Sequence, residues 1–201
     1  MTTLLIKEEI PTPARLTVPE LSDEEFFEFS RGNPDFRIER TAEGVVVIMA
    51  GTGGKTGSRN ALLTAQLVVW AVRDGRGIAY DSSTLFKLPN TAMRLPDASW
   101  VSRARLESLT EDQKERWLPL CPDFVVELTS PSDQLSEVRE KLEEWMANGC
   151  RLGWILHPPE REVHIYRWSG VEIHRGLAEL RGEGPVEGFV LDLGPIWEPG
   201  W

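Results

Sequence analysis

The chain has 201 residues, of which 41% are hydrophobic and 27% are charged, and its formal net charge is −10. This length and composition fit one domain with its own hydrophobic core, and they exclude a chain that is disordered throughout. The acidic balance argues against a broad basic surface that binds nucleic acid without regard to sequence, although a small basic or metal-bearing cleft is compatible with it.

No segment of the sequence predicts a membrane anchor or a secretion signal. The longest apolar run covers residues 61–72, and Thr64 and Gln66 interrupt it, so it is too short and too polar to span a bilayer. The N-terminus lacks the basic start, the long apolar core and the cleavage site of a signal peptide. Cys121 and Cys150 match no zinc spacing and are expected to be reduced, structural thiols. These features favour a cytoplasmic protein.

The first part of the chain predicts an arm, a short helix, a hairpin and a long helix. Residues 1–16 contain two prolines and predict an extended N-terminal arm, and residues 17–201 predict a single domain. Ser22 and Glu25 form a capping-box pattern at the start of a short helix. FRIER and GVVVIMA flank a turn-forming segment and predict a β-hairpin. Residues 58–75 carry apolar side chains at helical spacing and predict a helix that is buried on several sides.

The rest of the chain predicts strands around one amphipathic helix. GIAYDSSTLFKLP, LPDASWVS and PDFVVELTS predict strands, and the polar residues 102–120 predict one or two short surface helices. Residues 132–149 form an amphipathic helical pattern with Leu135, Val138 and Leu142 on one stripe. RLGWILHPP, EVHIYRW, VEIHRG and GFVLDLG predict further strands, and the Gly- and Pro-rich C-terminus predicts an edge strand or tail. This order predicts an α/β or α+β fold with a mixed central sheet flanked by helices.

Two carboxylates lie in segments predicted to be buried strands, where each needs a compensating charge or ligand. Asp97 lies near the start of LPDASWVS, and Glu127 lies inside the apolar run of PDFVVELTS. An ionised carboxylate buried there alone would be strongly unfavourable. Two carboxylates that converge at a sheet edge could hold a hard divalent cation, with the Leu128 carbonyl completing the shell. The alternative is that Asp97 caps a turn and Glu127 pairs with an arginine, and the spacing alone leaves both interpretations open.

Lys141 is the third candidate for the same site. It lies on the amphipathic helix that follows Glu127, beside the apolar stripe rather than opposite it. A helix packed on the sheet would bring its ammonium group toward the carboxylates. The alternative is that Lys141 is solvated, as the lysine of a helical sequence such as EKLEE usually is.

These residues and their surroundings resemble the Uma-two family of bacterial endonucleases, within the restriction-endonuclease-like PD-(D/E)XK superfamily. The resemblance rests on RLPDASWVS, PDFVVELTSPSD and VREKLEEWMANGCRLGWIL, and it extends over about residues 20–195. The SPSD element, followed by a helix that contains Glu-Lys and by GCRLGWIL, is its specific part. The resemblance implies a restriction-endonuclease-like mixed β-sheet flanked by helices, and metal-dependent hydrolysis of DNA.

The resemblance also implies roles for individual residues. Asp97 corresponds to the Asp of the Pro-Asp element and Glu127 to the Glu of the E-x-K element, and both would bind Mg²⁺ or Mn²⁺ that activates a water. Thr129 stands where the superfamily pattern has lysine, so Lys141 would supply the basic group from the next helix. Glu39 resembles a further acidic ligand contributed by the first elements, and its alternative is a surface charge on the hairpin.

The partner that the resemblance implies is DNA, and a homodimer would bring two sites to two strands. A basic cleft built from Lys55, Arg59, Lys87 and Arg94 would balance the acidic surface. His157 stands where relatives frequently carry aspartate, and its alternative is a strand-end histidine. The acidic surface and the missing E-x-K lysine favour the rival hypothesis, a catalytically silent nuclease-fold module for binding or assembly.

The glycine-rich stretch AGTGGKTG raises a second rival hypothesis, nucleotide binding. Gly54, Lys55 and Thr56 fit the end of a P-loop, which has the pattern G-x-x-x-x-G-K-[ST] between a strand and a helix. Met49 stands where the first glycine is required. The stretch could instead contact a DNA phosphate through backbone N–H groups at the start of the following helix.

Overall fold

A computed structural model describes residues 13–17, 21–49 and 51–200 of the chain. The prediction of an arm over residues 1–16 falls largely outside this part, but its last residues form the first strand. The helices are α1 (Asp23–Gly32), α2 (Gly54–Asp74), α3 (Arg103–Leu106), α4 (Glu111–Lys114), α5 (Leu135–Ala147) and α6 (Gly194–Trp197). The strands are β1 (Ala14–Thr17), β2 (Arg37–Arg40), β3 (Val45–Met49), β4 (Gly77–Tyr80), β5 (Phe86–Lys87), β6 (Met93–Arg94), β7 (Ala98–Ser102), β8 (Phe124–Leu128), β9 (Leu152–His157), β10 (Glu162–Arg167), β11 (Gly170–Arg175), β12 (Glu179–Arg181) and β13 (Val190–Asp192).

The larger sheet has six strands in the order β11-β10-β9-β8-β7-β4. β8 and β9 are parallel, whereas the other neighbours in this sheet are antiparallel. A parallel pair requires a crossover connection, and α5 is the helix of that crossover. The sheet is therefore mixed, and the crossover places α5 directly after the strand that carries Glu127.

A second sheet of five strands follows the order β1-β3-β2-β6-β5. The predicted hairpin is its β2–β3 pair, in which Glu39 lies opposite Val47. Gly44 has φ +84°, a left-handed conformation that glycine adopts without strain, and this allows the turn. β12 and β13 form a separate two-stranded sheet. The predicted α+β class with a mixed, helix-flanked sheet is confirmed, and the division of the strands over more than one sheet is additional to the prediction.

The hydrophobic core lies on both faces of the larger sheet. On one face, Leu63 and Leu67 of α2 pack in a cluster with Phe124 and Val126 of β8. On the other face, Leu142 and Trp145 of α5 pack in a cluster with Val125 and Ile155. A strand covered on both faces reads as a continuous apolar run, as β8 does. Successive residues alternate between the faces, so Glu127 points to the α5 side together with Val125.

Two elements differ from their predictions. α2 begins at Gly54 rather than at residue 58, because burial of Thr56, which is 4% exposed, outweighs the low helix propensity of the glycines around it. The C-terminal segment, predicted as an edge strand or tail, forms α6. Its carbonyls at Ile196 and Trp197 accept hydrogen bonds from the Arg59 guanidinium at 2.7 and 3.2 Å, which satisfies the end of the helix. Within the described residues, none of the helices is long and apolar enough to cross a membrane.

Candidate active site

The two predicted carboxylates lie side by side at neighbouring strands of the larger sheet. Asp97 immediately precedes β7, and Glu127 is on β8. The antiparallel register pairs Ala98 with Val126, so the next position along the ladder sets Asp97 opposite Glu127. The backbone nitrogen of Leu128 donates a hydrogen bond to Asp97 Oδ2 at 2.8 Å. The main chain of β8 therefore fixes the Asp97 carboxylate at this place.

Asp97 receives two further hydrogen bonds on its other oxygen. Arg37 Nη1 lies 3.0 Å and Asn60 Nδ2 3.2 Å from Asp97 Oδ1. The carboxylate is buried at 7% exposure, and the charge of Arg37 compensates its own. Asp97 is therefore held from three directions by β2, α2 and β8, and it does not serve as a cap of an exposed turn.

Glu39 joins the cluster from the smaller sheet. Its carboxylate lies 2.8 Å from Lys141 Nζ and 3.1 Å from Arg94 Nη1, and it accepts a hydrogen bond of 3.0 Å from the Leu95 nitrogen. Burial by itself would raise the pKa of Glu39, but the charges of Lys141 and Arg94 and the hydrogen bonds lower it to about 2. Glu39 is thus a buried, ionised carboxylate and not a surface charge of the hairpin.

Glu127 has a weaker set of compensating contacts. Its Oε1 lies 3.1 Å from Lys141 Nζ and accepts a hydrogen bond of 2.8 Å from Trp145 Nε1. Burial raises the pKa of Glu127 to about 7, and the negative charges of Asp97 and Glu39 add to this effect, whereas Lys141 opposes it. Two carboxylates that share Lys141 thus differ in their protonation, because Glu39 also has Arg94 and Glu127 does not.

Lys141 points into the cluster and not to solvent. Its side chain is 18% exposed, and Nζ also donates a hydrogen bond of 2.9 Å to the Leu95 carbonyl. Trp145 follows one helical turn later on the same face of α5, so one helix delivers both donors to Glu127. The structure therefore brings together Glu39, Asp97, Glu127 and Lys141, all four side chains that the sequence singled out.

Thr129, two residues after Glu127, has a different partner. Its Oγ1 lies 2.8 Å from Nδ1 of His157, which is its neighbour on the parallel strand β9. Burial lowers the pKa of His157, so the neutral imidazole is favoured there. The hydroxyl and the ring satisfy each other at the end of the sheet, and the position provides no cation to Glu127.

Three residues that contact the carboxylates were not identified from the sequence. They are Arg37, Asn60 and Trp145. Arg37 and Glu39 are two residues apart on β2 and share a face, which is the one local signal that could have found an arginine. Within the described part of the chain, Arg37 Nε and Asn60 Oδ1 are buried without a hydrogen-bond partner.

The predicted basic cleft does not form as one group. Arg94 lies in the carboxylate cluster, but Arg59 is bound to the carbonyls of α6 and Lys87 pairs with Asp23. The glycine-rich stretch contributes its Gly-Lys-Thr to the first turn of α2. The cationic residues of the site therefore come from β2, β6 and α5 instead.

The side chains of the site carry the oxygen ligands that a divalent cation prefers, but they do not form a complete coordination shell. Among the residues described, no three His, Cys, Asp or Glu side chains are grouped closely enough to hold a metal by themselves. Mg²⁺ in proteins is commonly bound by one or two carboxylates and keeps waters or substrate phosphates as its other ligands. Asp97 and Glu127, with the Leu128 main chain beside them, fit this kind of partial shell.

The comparisons with known proteins agree with this architecture. A crystal structure from Anabaena variabilis ATCC 29413, described as a putative nuclease belonging to DUF820, superposes with a TM-score of 0.67. The two sequences are 17% identical, and the match covers 80% of this chain and 89% of the Anabaena chain, which shows a common fold. No curated protein matches the sequence. The family model named Uma2, described as putative restriction endonuclease, matches residues 23–194, and the chain belongs to this family.

Proposed function

We propose that this protein is a metal-dependent endonuclease that hydrolyses phosphodiester bonds in DNA. Asp97 and Glu127 would bind Mg²⁺ or Mn²⁺, with the Leu128 carbonyl and Glu39 as further candidates for ligands, and Lys141 would act on the scissile phosphate. A homodimer would present two such sites to the two strands of one DNA molecule. The family and the shared nuclease fold support the reaction class.

The position of Lys141 is the observation that carries this proposal. In the superfamily pattern the lysine follows the Glu by two residues on the same strand, and here that position holds Thr129. Lys141 comes from α5, fourteen residues after Glu127, yet its Nζ lies 3.1 Å from that carboxylate. A buried ammonium group fixed between acidic residues would be an unusual surface lysine, whereas it suits a nuclease site.

The site has features that favour a bound cation. Glu127 has a pKa of about 7 because it is buried with other carboxylates, and a cation nearby would favour its ionised form. Asn60 adds a buried oxygen, unpaired among the described residues, next to Asp97. When bound, Mg²⁺ would lower the pKa of a water and neutralise charge on the phosphate.

Residues of the chain would orient the scissile phosphate for the attack by water. The oxygen of a water bonds to phosphorus, the bond from phosphorus to the leaving sugar oxygen breaks, and a proton passes from the water to solvent while the leaving oxygen gains one. Lys141 Nζ would donate a hydrogen bond to a phosphate oxygen, which gains charge in the transition state. Glu39, held ionised by Arg94, would keep Lys141 protonated and fixed for this purpose.

Cleavage of plasmid and branched DNA with Mg²⁺ or Mn²⁺ tests the proposal. Asp97→Ala, Glu127→Ala and Lys141→Ala should each lower the rate by about 100-fold or more, because each removes a ligand or a preorganised donor. Glu140→Gln, an exposed neighbour of Lys141 on α5, is the matched control and should cleave like the wild type. Thermal unfolding of each variant separates loss of chemistry from loss of fold.

The outcomes separate the rival functions. Cleavage that is unaffected by both carboxylate substitutions would refute the ligand assignment. A wild type that binds DNA and cleaves none of it with either metal would support the silent binding module. ATP binding that Lys55→Ala abolishes would support the nucleotide-binding hypothesis.

A further inference from the structure

A cavity of about 670 Å³ lies beside the carboxylate cluster. Its walls come from the C-terminal half of α1, the start of β2, the end of β4 and the segment around α4. Arg37 and Leu95 line it, and both also belong to the cluster. Arg37 donates hydrogen bonds to Asp97 and to the Leu95 carbonyl, and the same carbonyl accepts from Lys141. The cavity therefore shares Arg37 and Leu95 with the candidate active site.

The charged side chains that line the cavity are mostly cationic, whereas the whole molecule is acidic. Arg31, Arg37, Lys114 and Arg116 line it, and Asp35 is the one acidic side chain in the described lining. The net charge of the chain is −10, so a random sample of its surface would be acidic. A local excess of cations in a concave, acid-poor wall attracts anions and focuses their approach.

Three of these cations are held by ion pairs that a ligand can replace, two of them exposed and that of Arg116 partly buried. Arg31 pairs with Glu28 at 3.0 Å, Lys114 pairs with Glu111 at 2.6 Å, and Arg116 pairs with Glu24. Exposed ion pairs contribute little to stability. Glu24 and Glu28 line the adjoining surface cavity and are not part of the wall of this one. A phosphate in the cavity could therefore take over these cations at small cost.

Aromatic side chains line the cavity together with the cations. Phe27, Phe36 and Tyr80 line the cavity and are half-buried. The guanidinium groups of Arg31 and Arg116 lie 5.8 and 5.1 Å from the centre of the Phe27 ring. Cations that follow a backbone, interleaved with aromatic rings for the bases, are the two parts of a site for unpaired nucleic acid.

We infer that this cavity binds an unpaired DNA strand next to the phosphate that is cleaved. The inference rests on the proposed nuclease function and specifies its substrate as DNA with a single-stranded segment, such as a branch or flap. Paired bases are stacked inside a duplex and cannot reach the aromatic side chains, whereas unpaired bases can. Arg37 would mark the passage between this strand and the carboxylates, because it belongs to both.

Fluorescence anisotropy with labelled oligonucleotides in EDTA tests the inference without cleavage. The variant Arg31→Gln/Lys114→Gln/Arg116→Gln should bind single-stranded DNA at least tenfold (about 1.4 kcal/mol) more weakly than the wild type. Above physiological salt, log K falls with log salt, and this slope should be less steep by about two in the triple variant than in the wild type. That difference is expected for three lost phosphate contacts on a single strand. The control Arg73→Gln/Arg151→Gln/Arg181→Gln changes the net charge equally on exposed residues elsewhere, and it should bind like the wild type.

An oligonucleotide of the same length without bases tests the aromatic part. It should bind the wild type about tenfold or more weakly than the normal strand, because it lacks the bases that stack on the aromatic side chains. A blunt duplex should bind weakly and should lose little affinity in the triple variant. Equal losses in the triple variant and its control, or equal binding of duplex and single strand, would overturn the inference.

Cleavage by the same proteins separates this inference from the proposed function. If the wild type cleaves DNA and the triple variant cleaves and binds equally well, the nuclease function stands and the cavity assignment fails. If the triple variant loses single-strand binding but the wild type cleaves nothing, the binding cavity stands and the nuclease proposal fails.

Discussion

At the scale of single residues, unequal sharing of cations gives similar carboxylates different properties. Glu39 and Glu127 are both buried and both contact Lys141. Glu39 has Arg94 as a second cation, and its pKa is lowered to about 2, whereas burial raises that of Glu127 to about 7. With Lys141 between them, Glu39 is ionised at neutral pH, whereas Glu127 changes its protonation near pH 7.

The raised pKa of Glu127 predicts that stability decreases with pH in the absence of divalent metal. The group has an ordinary pKa of 4.5 when unfolded and about 7 when folded, so folding favours its protonated form. Its contribution is fully present below pH 4.5 and is lost as the pH rises through 7, by a total of about 3 kcal/mol. Glu127→Gln, which keeps the size and an oxygen acceptor for Trp145, should remove this dependence. Urea unfolding in EDTA across this pH range measures it.

Comparison of the two proteins isolates Glu127 from other titrating groups. The lowered pKa of His157 acts in the opposite direction, since protonation below pH 6.5 is disfavoured in the folded state, but it acts in both proteins. Mg²⁺ at alkaline pH should raise the melting temperature of the wild type and leave the Gln variant nearly unchanged, because the ligand binds the ionised form. A wild type and variant with parallel pH profiles would contradict the raised pKa.

At the scale of elements, α5 is the part that assembles the site. It crosses from β8 to the parallel strand β9 and carries Lys141 and Trp145 on the face that meets Glu127. The distance of this helix from the sheet is set in part by Gly153 of β9, where an added Cβ would lie 3.1–3.2 Å from Leu142 side-chain atoms. A small residue here allows the close approach that Lys141 needs to reach Glu127.

Gly153→Val is expected to push α5 away from the sheet. The added atoms would meet Leu142, which is fully buried and has little room to move. Overpacking of this kind should destabilise the protein by about 1–3 kcal/mol, and the displaced Lys141 should lower cleavage beyond what the loss of folded protein explains. Denaturant unfolding and the rate per folded molecule measure the two effects.

Gly57→Ala is the matched control for a glycine replacement. Gly57 lies in α2, and an added Cβ would approach Thr52 Oγ1 no closer than 3.7 Å. Alanine is the better helix former, so this variant should be more stable by about 0.5–1 kcal/mol. A Gly153→Val protein as stable and active as the wild type would show that α5 does not depend on this contact.

The elements with strong local patterns could be predicted, and those set by distant packing could not. The capping box of α1, the β2–β3 hairpin and the amphipathic stripe of α5 are local signals, and all three elements formed as expected. The start of α2 depends on tertiary burial, so its first turn was missed. Asp97 and Glu127 stand out as carboxylates in strands, but their spacing leaves the partner open, and only the resemblance to the family points to them and to Lys141 as one site. Arg37 and Asn60 look ordinary in sequence, since only folding brings them to Asp97.

At the scale of the whole molecule, an acidic protein carries a cationic recess at its candidate active site. The global charge of −10 would repel DNA at long range, whereas Arg31, Arg37, Lys114 and Arg116 would attract it at contact. Salt screens the long-range repulsion more strongly than it screens the attraction at contact, because the repelling charges lie farther from the DNA. The Debye length falls from about 30 Å at 0.01 M to about 10 Å at 0.1 M, which removes the long-range repulsion before it weakens close contacts.

The specificity constant for DNA cleavage should therefore first rise and then fall with salt. At constant Mg²⁺, kcat/KM should increase as monovalent salt goes from about 0.01 to about 0.1 M, and it should decrease above that as phosphate contacts weaken. Proteins with a broad basic surface show only the decrease. Glu107→Gln/Glu187→Gln removes two exposed acidic charges and should flatten the rising part while leaving the decrease at high salt unchanged. A rate that falls steadily from the lowest salt would mean that the local field of the recess, and not the charge of the whole molecule, governs the encounter with DNA.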